Sequence, residues 1–478
     1  MASGFVARNG GRAGVAALIA ILLLGLGLRL GEAWDGREPV YDAGAYAAIA
    51  ANLGRGDGFT VGPGATQPSS NYSPGLPLLV AGIYELTGGV HERTARIALA
   101  LLGALSILFT YLLAHRLRRA MDSPSYRAVN ASRDAVAGLV AALAVAVYPA
   151  LLEYQGMLMS EPLAATLLAG AVLALFWAGD TQLPGPGNGS GLPSDSASSG
   201  LRWLLPGVLL GALAMVRPEY LGIGVLLALV VLARGLWRRG HGEARGGAAG
   251  SPKRGLAQAA ILLAGLVLVV APWTLRNAIA LDRTVPISTG GGQVLFAGTY
   301  LPSDGNPEKV GAEVVARNPQ LFGADAAEGL RLEQILARLA AARYPGLETD
   351  QALSRLGKDQ LWDDLSKEPL RFAGFVATKV WRIWSQGPRA VMREPLWRAF
   401  HLALVALGLL GLGLLAWRRR WEALVLATVL LGITALSALL VASPRRVLVM
   451  APLVAALAGV AATWLWSRLS PGRSSPGR

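Results

Sequence analysis

An all-α polytopic membrane protein with about ten transmembrane helices is the fold class this sequence predicts, and three observations predict it. The 478-residue chain is 53% apolar and only 15% charged, a balance foreign to soluble domains of this length. Its apolar residues gather into runs near the roughly 20 residues that a helix needs to cross a hydrocarbon core about 30 Å thick. Its basic residues, which set a formal charge of +14, fall mostly in short loops between those runs, where the positive-inside rule places cytoplasmic Lys and Arg.

The spans expected are 13–31, 94–114, 134–152, 161–178, 201–216, 219–236, 256–274, 398–416, 421–441 and 445–467. The clusters Arg8/Arg12, Arg116/Arg118/Arg119, Arg238/Arg239/Lys253/Arg254, Arg418/Arg419/Arg420 and Arg468/Arg473/Arg478 all fall on one side, giving an N-in/C-in topology. The alternation requires residues 201–236 to cross twice, although two runs this short would also make a single bent helix. The first run follows Arg8 and Arg12 as a signal-peptide core would. It is longer than such a core, and Gly31-Glu32-Ala33 is a poor cleavage site, so an uncleaved first span is expected. Leu76 to Leu86 is too short to cross and carries Pro77 and Glu85, which fits an interfacial or re-entrant segment.

The resulting organisation is an N-terminal transmembrane region, 13–274, that includes a first outer loop, 32–93; a large outer loop or cap, 275–397, expected to be a small mixed structure; and a C-terminal transmembrane region, 398–467. Segments 1–12, 181–200, 240–255 and 468–478 read as flexible and cytoplasmic. The two internal ones are Gly/Ser/Pro-rich and cannot bury a core. Neither offers a phosphate-cradling Gly-rich loop or an Asp-x-Asp pair, so a cytoplasmic nucleotide-using enzyme is disfavoured.

Other classes are excluded in turn. No zinc spacing, RNA-recognition signature or basic helix array accompanies the positive charge, so no nucleic-acid partner is expected. The chain has no Cys, which removes disulfides, thiolate metal sites and a cysteine nucleophile together. His91, His115, His241 and His401 make no metal-ligand spacing. No cofactor and no essential metal are expected.

Function is therefore sought in the two outer segments. After Asp42, apolar residues at 46, 49, 50 and 53 keep helical spacing, predicting a short helix on the membrane surface. Asp42 stands where a carboxylate caps a helix N-terminus, and it stands equally where a general base is needed. A phosphate-linked sugar carries a good leaving group, so one carboxylate suffices as base for an acceptor hydroxyl, whereas glycosidases usually need a pair. Arg is suited to the departing lipid phosphate by its bidentate geometry.

The run Asp42, Tyr46, Ala50, Asn52-Leu53, Gly56-Asp57-Gly58-Phe59 and Tyr72-Ser73-Pro74-Gly75-Leu76-Pro77-Leu78 resembles the first loop of GT-C glycosyltransferases related to protein O-mannosyltransferases and the lipid A aminoarabinose transferase. In that family an Asp after the first span, often followed by Glu, is regarded as the catalytic base. Asp42 matches the Asp. Ala43 replaces the Glu, so the role of a second carboxylate is either absent or supplied elsewhere, with Glu38 and Asp35 as the candidates. Pro272-Trp273-Thr274-Leu275-Arg276-Asn277, followed by Ser288-Thr289-Gly290-Gly291-Gly292, is similar to the family's exit into its large outer loop. Pro369 with Lys379 and Trp384 resembles that loop's closing amphipathic helix, and Arg445-Arg446 with Pro452 the basic start of a late span.

Other polar residues carry two readings each. A charge at the bilayer centre costs about 2.5–3.5 kcal/mol on insertion scales, so Glu161, Arg217 and Glu219 need partners or water. Pro162 and Pro218 also mark helix starts, with Glu161 and Glu219 in first turns and Arg217 snorkelling. Glu219 is read mainly as a helix start. Arg276 and Arg445 are either interfacial anchors or lipid-phosphate ligands. Gly290 to Gly292 makes a tight turn near a ligand, or a hairpin turn between 284–287 and 293–296. Helical patterns at 329–342 and 351–366 are expected to roof the site.

The expectation is an inverting transferase of the bacterial plasma membrane, acting on the outer side. Asp42 is its base, and Arg276, Arg445, Arg217, Glu161, Tyr72, Asn277 and Gly291 are the substrate-binding candidates. Its partners are a polyprenyl-phosphate-linked sugar, an acceptor glycan, lipid or protein, and the bilayer. The alternatives are a flippase for lipid-linked glycans, although no inverted repeat is evident, and a non-catalytic partner in envelope assembly.

Overall fold

The computed structural model describes residues 2–36, 38–39, 42–62, 64–122, 131–180, 200–240, 252–323 and 329–469. Of the segments expected to be flexible, 181–200, 240–255 and 468–478 lie mostly outside the described residues, while 2–12, 240, 252–255 and 468–469 are helical. The chain runs α1 (Ala2–Asp35), α2 (Asp42–Gly54), α3 (Gly75–Leu86), α4 (Glu92–Met121), α5 (Ala131–Ala146), α6 (Pro149–Gln155), α7 (Ser160–Asp180), α8 (Leu204–Val216), α9 (Glu219–Gly240) and α10 (Pro252–Leu281). The large outer segment adds α11 (Gly291–Thr299), α12 (Val310–Arg317), α13 (Pro319–Phe322), α14 (Leu332–Arg343), α15 (Thr349–Lys367) and α16 (Pro369–Ser385). The chain then re-enters the bundle as α17 (Pro395–Trp417), α18 (Trp421–Leu439) and α19 (Arg445–Leu469).

Eight of these helices are long and apolar enough to cross a membrane, and α5 with α6, bent by 51°, makes a ninth. The protein is a multi-pass membrane protein. The tenth expected span is α8, whose 13 residues reach only about 20 Å at 1.5 Å per residue. Burial sorts the bundle: the most apolar windows of α7 and α19 are 83% and 89% buried, against 11% for α1. The first two form the centre, and α1 turns Val15, Ile19 and Leu23 outward, as lipid contact requires.

Two sequence features fix the packing of the middle helices. Gly207 and Gly211 of α8 lie against α10 so closely that a Cβ on Gly207 would stand 2.0 Å from the Leu262 carbonyl oxygen, the small-xxx-small device that brings membrane helices together. Gly211 of α8 and Gly224 of α9 both face Leu266 of α10. The two helices therefore run back to back around Arg217, whose backbone is extended (φ −143°, ψ 102°). They form a hairpin and not one bent helix.

The α5–α6 bend has a chemical support. Pro149 cannot continue the α5 hydrogen-bond ladder, so carbonyls at the end of α5 need other donors. Arg29, 1% exposed within α1, supplies them: its Nη2 donates to the Val145 oxygen at 3.2 Å and its Nη1 to that of Ala146 at 3.4 Å.

The outer segment has its own apolar core, in which Phe296 and Tyr300 of α11 meet Val310, Val314, Leu336, Leu339 and Leu353. Every element found in it among the described residues is helical, so the expectation of a mixed cap is corrected. The hairpin reading of Gly290–Gly292 is also corrected. Gly290 takes the left-handed conformation (φ 94°) and starts α11, and Gly292 lets α11 approach α15, where a Cβ would stand 1.9 Å from the Asp350 oxygen. The patterns at 329–342 and 351–366 become α14 and α15. In α16, Phe372, Phe375, Lys379 and Ile383 face inward while Leu370 and Trp381 stay exposed, the amphipathic pattern of a surface helix.

Candidate active site

α2 begins at Asp42 and is held down by Ala43, Tyr46, Ile49 and Ala50, all buried. The expected face at 46, 49, 50 and 53 is the face that packs, with Leu53 half-buried. Asn52 secures the loop that follows, its Nδ2 donating to the Gly62 oxygen and to Thr60 Oγ1, each at 2.8 Å. This leaves Asp42 at the open end of its helix, its side chain 41% exposed.

Arg445 opens α19, and its Nη1 donates to Asp42 Oδ2 at 2.8 Å. Its Nε binds Glu161 Oε1. Glu161 lies in the first turn of α7, just after Leu158 has reversed the chain in the left-handed region (φ 52°). It is wholly buried. A carboxylate sealed this way persists as an ion only if paired, and a second guanidinium pairs with it: Arg217 Nη2 at 2.7 Å from Glu161 Oε1. Arg217 Nη1 reaches Glu219 Oε1 at 3.2 Å, and Arg446 Nε lies 3.7 Å from that same oxygen. Asp42, Arg445, Glu161, Arg217, Glu219 and Arg446 thus form a chain of alternating charge.

This arrangement resolves several double readings. Arg217 does not snorkel, since its side chain is 13% exposed and clasped between two acids. Glu219 is both a helix start and a member of the chain. A second acid, Glu161, shares Arg445 with Asp42. Ala43, 0% exposed, leaves no room for a carboxylate beside Asp42. Tyr46 and Tyr72 pack edge to face, ring centroids 5.7 Å apart, next to Asp42. Burial pushes the Tyr46 hydroxyl up to about 12. It raises that of Tyr72 too, with a smaller contribution from the Asp42 charge. Both hydroxyls stay protonated and able to donate at neutral pH.

Three candidates sit elsewhere. Arg276 Nη1 donates to the Ser69 oxygen at 2.9 Å and its Nη2 to that of Phe59 at 3.3 Å, with the guanidinium over the Trp273 ring. Asn277, 0% exposed, donates to the Val285 and Ile287 oxygens. Both residues staple the first outer loop and residues 285–287 to the end of α10. Gly291 is the first residue of α11, and a Cβ there would meet nothing within 4 Å. One residue that the sequence did not flag does join the site. Arg389, between α16 and α17, donates to Glu153 Oε1 at 2.7 Å and sits over Tyr154, as Arg445 does. An isolated Arg in a Gly-Pro-Arg turn carries no periodic or motif signal that would have found it.

Among the described residues no three His, Asp or Glu side chains are grouped to hold a metal ion; Asp42 and Glu161 converge on Arg445. What the arrangement offers is an accessible carboxylate next to a guanidinium that a buried acid fixes from behind.

No family model matches the chain, and no curated protein matches it. Solved structures do. The apo oligosaccharyltransferase of Archaeoglobus fulgidus aligns over 97% of this chain and 52% of its own, at 16% identity and a TM-score of 0.54. The enzyme from the same source, AglB, in complex with an inhibitory peptide and a dolichol-phosphate, aligns over the same shares at 16% identity and a TM-score of 0.52. The chain has the GT-C fold. It spans about half the length of these oligosaccharyltransferases. ArnT from Cupriavidus metallidurans bound to undecaprenyl phosphate aligns over 100% of this chain and 82% of its own at 16% identity. Its TM-score of 0.33 is too low to bear on the GT-C assignment, which rests on the archaeal enzyme.

Proposed function

We propose that this GT-C protein transfers a sugar from a polyprenyl-phosphate carrier to an acceptor hydroxyl at the outer face of a bacterial plasma membrane, with inversion at the anomeric carbon. The observation that carries this reading is the Asp42–Arg445 pair at 2.8 Å, a base and an anion-binding group side by side where the first outer loop meets the start of the last span. The dolichol-phosphate in the AglB complex is consistent with a lipid-phosphate donor, and the basic short loops favour a cap on the outer side.

In this mechanism the acceptor O–H gives its proton to the Asp42 carboxylate as its oxygen attacks the anomeric carbon. The bond from that carbon to the phosphate oxygen breaks, and polyprenyl phosphate leaves with the electron pair. Arg445 holds the developing negative charge from a fixed position. Asp42 rather than Glu161 is the base because only Asp42 is open to a reactant: Glu161 is sealed and committed to two arginines. The sealed acid acts indirectly, by orienting Arg445.

The test is transfer by Asp42→Asn protein in nanodiscs, from a radiolabelled polyprenyl-phosphate sugar into envelopes of a deletion strain. Loss of a general base typically costs 10²–10⁴-fold, and a loss of about that size is expected with the fold intact. Wild-type transfer by the variant would remove Asp42 from the reaction. Label crossing the bilayer without a new glycosidic bond would make the protein a flippase.

A further inference from the structure

Arg389 and Arg445 share one aromatic partner: their guanidinium carbons lie 5.7 and 5.8 Å from the centroid of the Tyr154 ring. Two like charges on one ring repel, and each is tied to its own acid, Arg389 to Glu153 at 2.7 Å and Arg445 to Asp42 and Glu161. Donors are left over on both. Arg389 Nε is buried without a hydrogen-bond partner, an expensive state for a charged group's N–H. Arg445 spends Nε and Nη1 on its two acids, and among the described residues Nη2 has no partner. Both side chains remain open, 28% and 29% exposed.

We propose that Arg389 and Arg445 together seat the phosphate of the lipid carrier beside Tyr154, so that Arg389 is a second phosphate ligand contributed by the outer segment. The inference rests on the glycosyl-transfer reading above and adds to it the position of the leaving group and a second residue that holds it. The chemistry favours two guanidiniums over one. A sugar phosphodiester carries one negative charge, and the polyprenyl phosphate that departs carries between one and two at neutral pH. A second guanidinium therefore gains more from the departing group than from the bound donor, which is the condition for raising rate rather than affinity. The seat lies against Arg445, which also holds Asp42, so phosphate and base flank the anomeric carbon.

The experiment measures binding of undecaprenyl phosphate to the full-length protein in nanodiscs by native mass spectrometry, with undecaprenol and inorganic phosphate as comparison ligands. Wild-type protein is expected to prefer the phosphorylated lipid. Arg389→Gln should weaken its binding at least tenfold, Arg389→Lys less, and undecaprenol should bind all three proteins alike. Glu153→Gln, which breaks the ion pair but keeps the guanidinium, should bind the phosphorylated lipid as well as wild type or better. Equal losses in Arg389→Gln and Glu153→Gln would make Arg389 a structural staple and overturn the proposal, as would binding by Arg389→Gln within twofold of wild type. Displacement of the lipid by inorganic phosphate, with the same variant dependence, would mark a free-phosphate site instead. Asp42→Asn should keep lipid binding while losing transfer. A wild-type protein blind to the phosphate would sink the donor reading along with this one.

Discussion

Asp42 and Arg445 are 403 residues apart in sequence and 2.8 Å apart in space. One starts the short helix that follows the first span and the other opens the last span, so the contact ties the first outer loop to the central helix of the bundle.

Glu161 is the keystone of the charge chain. Removing one partner of a buried ion pair costs about 3–5 kcal/mol because the remaining charge is stranded. Glu161→Ala would leave Arg217 with Glu219 alone and Arg445 with Asp42 alone, each short of one acid, and its thermal unfolding temperature in detergent should fall by several degrees. Glu161→Gln keeps the volume and one acceptor, and should fall less while still losing transfer. An unfolding temperature unchanged in Glu161→Ala would mean that Glu219 and Asp42 suffice to hold the two arginines, and would remove Glu161 from its keystone role.

Lys379 is buried in α16 and donates to the Gly298 oxygen of α11 and the Ala438 oxygen of α18, both at 2.6 Å. It ties the cap to the bundle. Burial, reinforced by Arg446, lowers its ammonium to about 7 from the usual 10.5. Between these two values the unfolded chain binds the proton and the folded chain does not, so stability rises with pH across that window; below 7 the cost of burying the charge is borne in full. Unfolding temperatures of wild type measured between pH 7 and 10 should climb more than those of Lys379→Met. Parallel curves for the two proteins would refute the assignment.

Gly292 admits α15 so closely that any side chain collides with the Asp350 backbone. Overpacking of this kind typically costs about 1–3 kcal/mol, and here the obstacle is main chain. Gly292→Ala should increase proteolysis within residues 291–367 while leaving the spans protected. Gly291→Ala, one position earlier, meets open space and should behave as wild type.

Gly207 carries the equivalent contact inside the bundle, against the Leu262 carbonyl. Gly207→Leu should force α8 off α10, and because α8 leads directly into Arg217, transfer should drop along with stability. Crosslinking of cysteines introduced at 208 and 263 would report the separation, and an unaltered crosslinking yield would contradict it.

The spans were legible because length and hydropathy dictate them. α8 was the exception: a 13-residue helix held by two glycines depends on its neighbour, and the neighbour is not in its own sequence. α11 was misread for a related reason. Three glycines look like a turn, yet only Gly290 turns, while Gly292 is small because α15 is close. Asp42 was visible from its position after the first span. Glu161, Arg217 and Arg445 were visible as charges out of place, but their pairing is a long-range relation that periodicity does not encode. Arg389 had no local signature at all.

The charge chain also imposes an order on assembly. When the first helices have inserted, Asp42, Glu161 and Glu219 have only Arg217 to balance them, three negative charges against one positive. The two missing cations, Arg445 and Arg446, emerge roughly 400 residues after Asp42, a delay of about 20–80 s at ribosomal rates of roughly 5–20 residues per second. Until then the nascent bundle holds an acidic hollow, and the last helix to arrive is drawn to it by its leading pair of arginines. A nascent chain stalled before that helix would leave the hollow open to stray cations, and quality-control proteases would meet an unfinished membrane protein there.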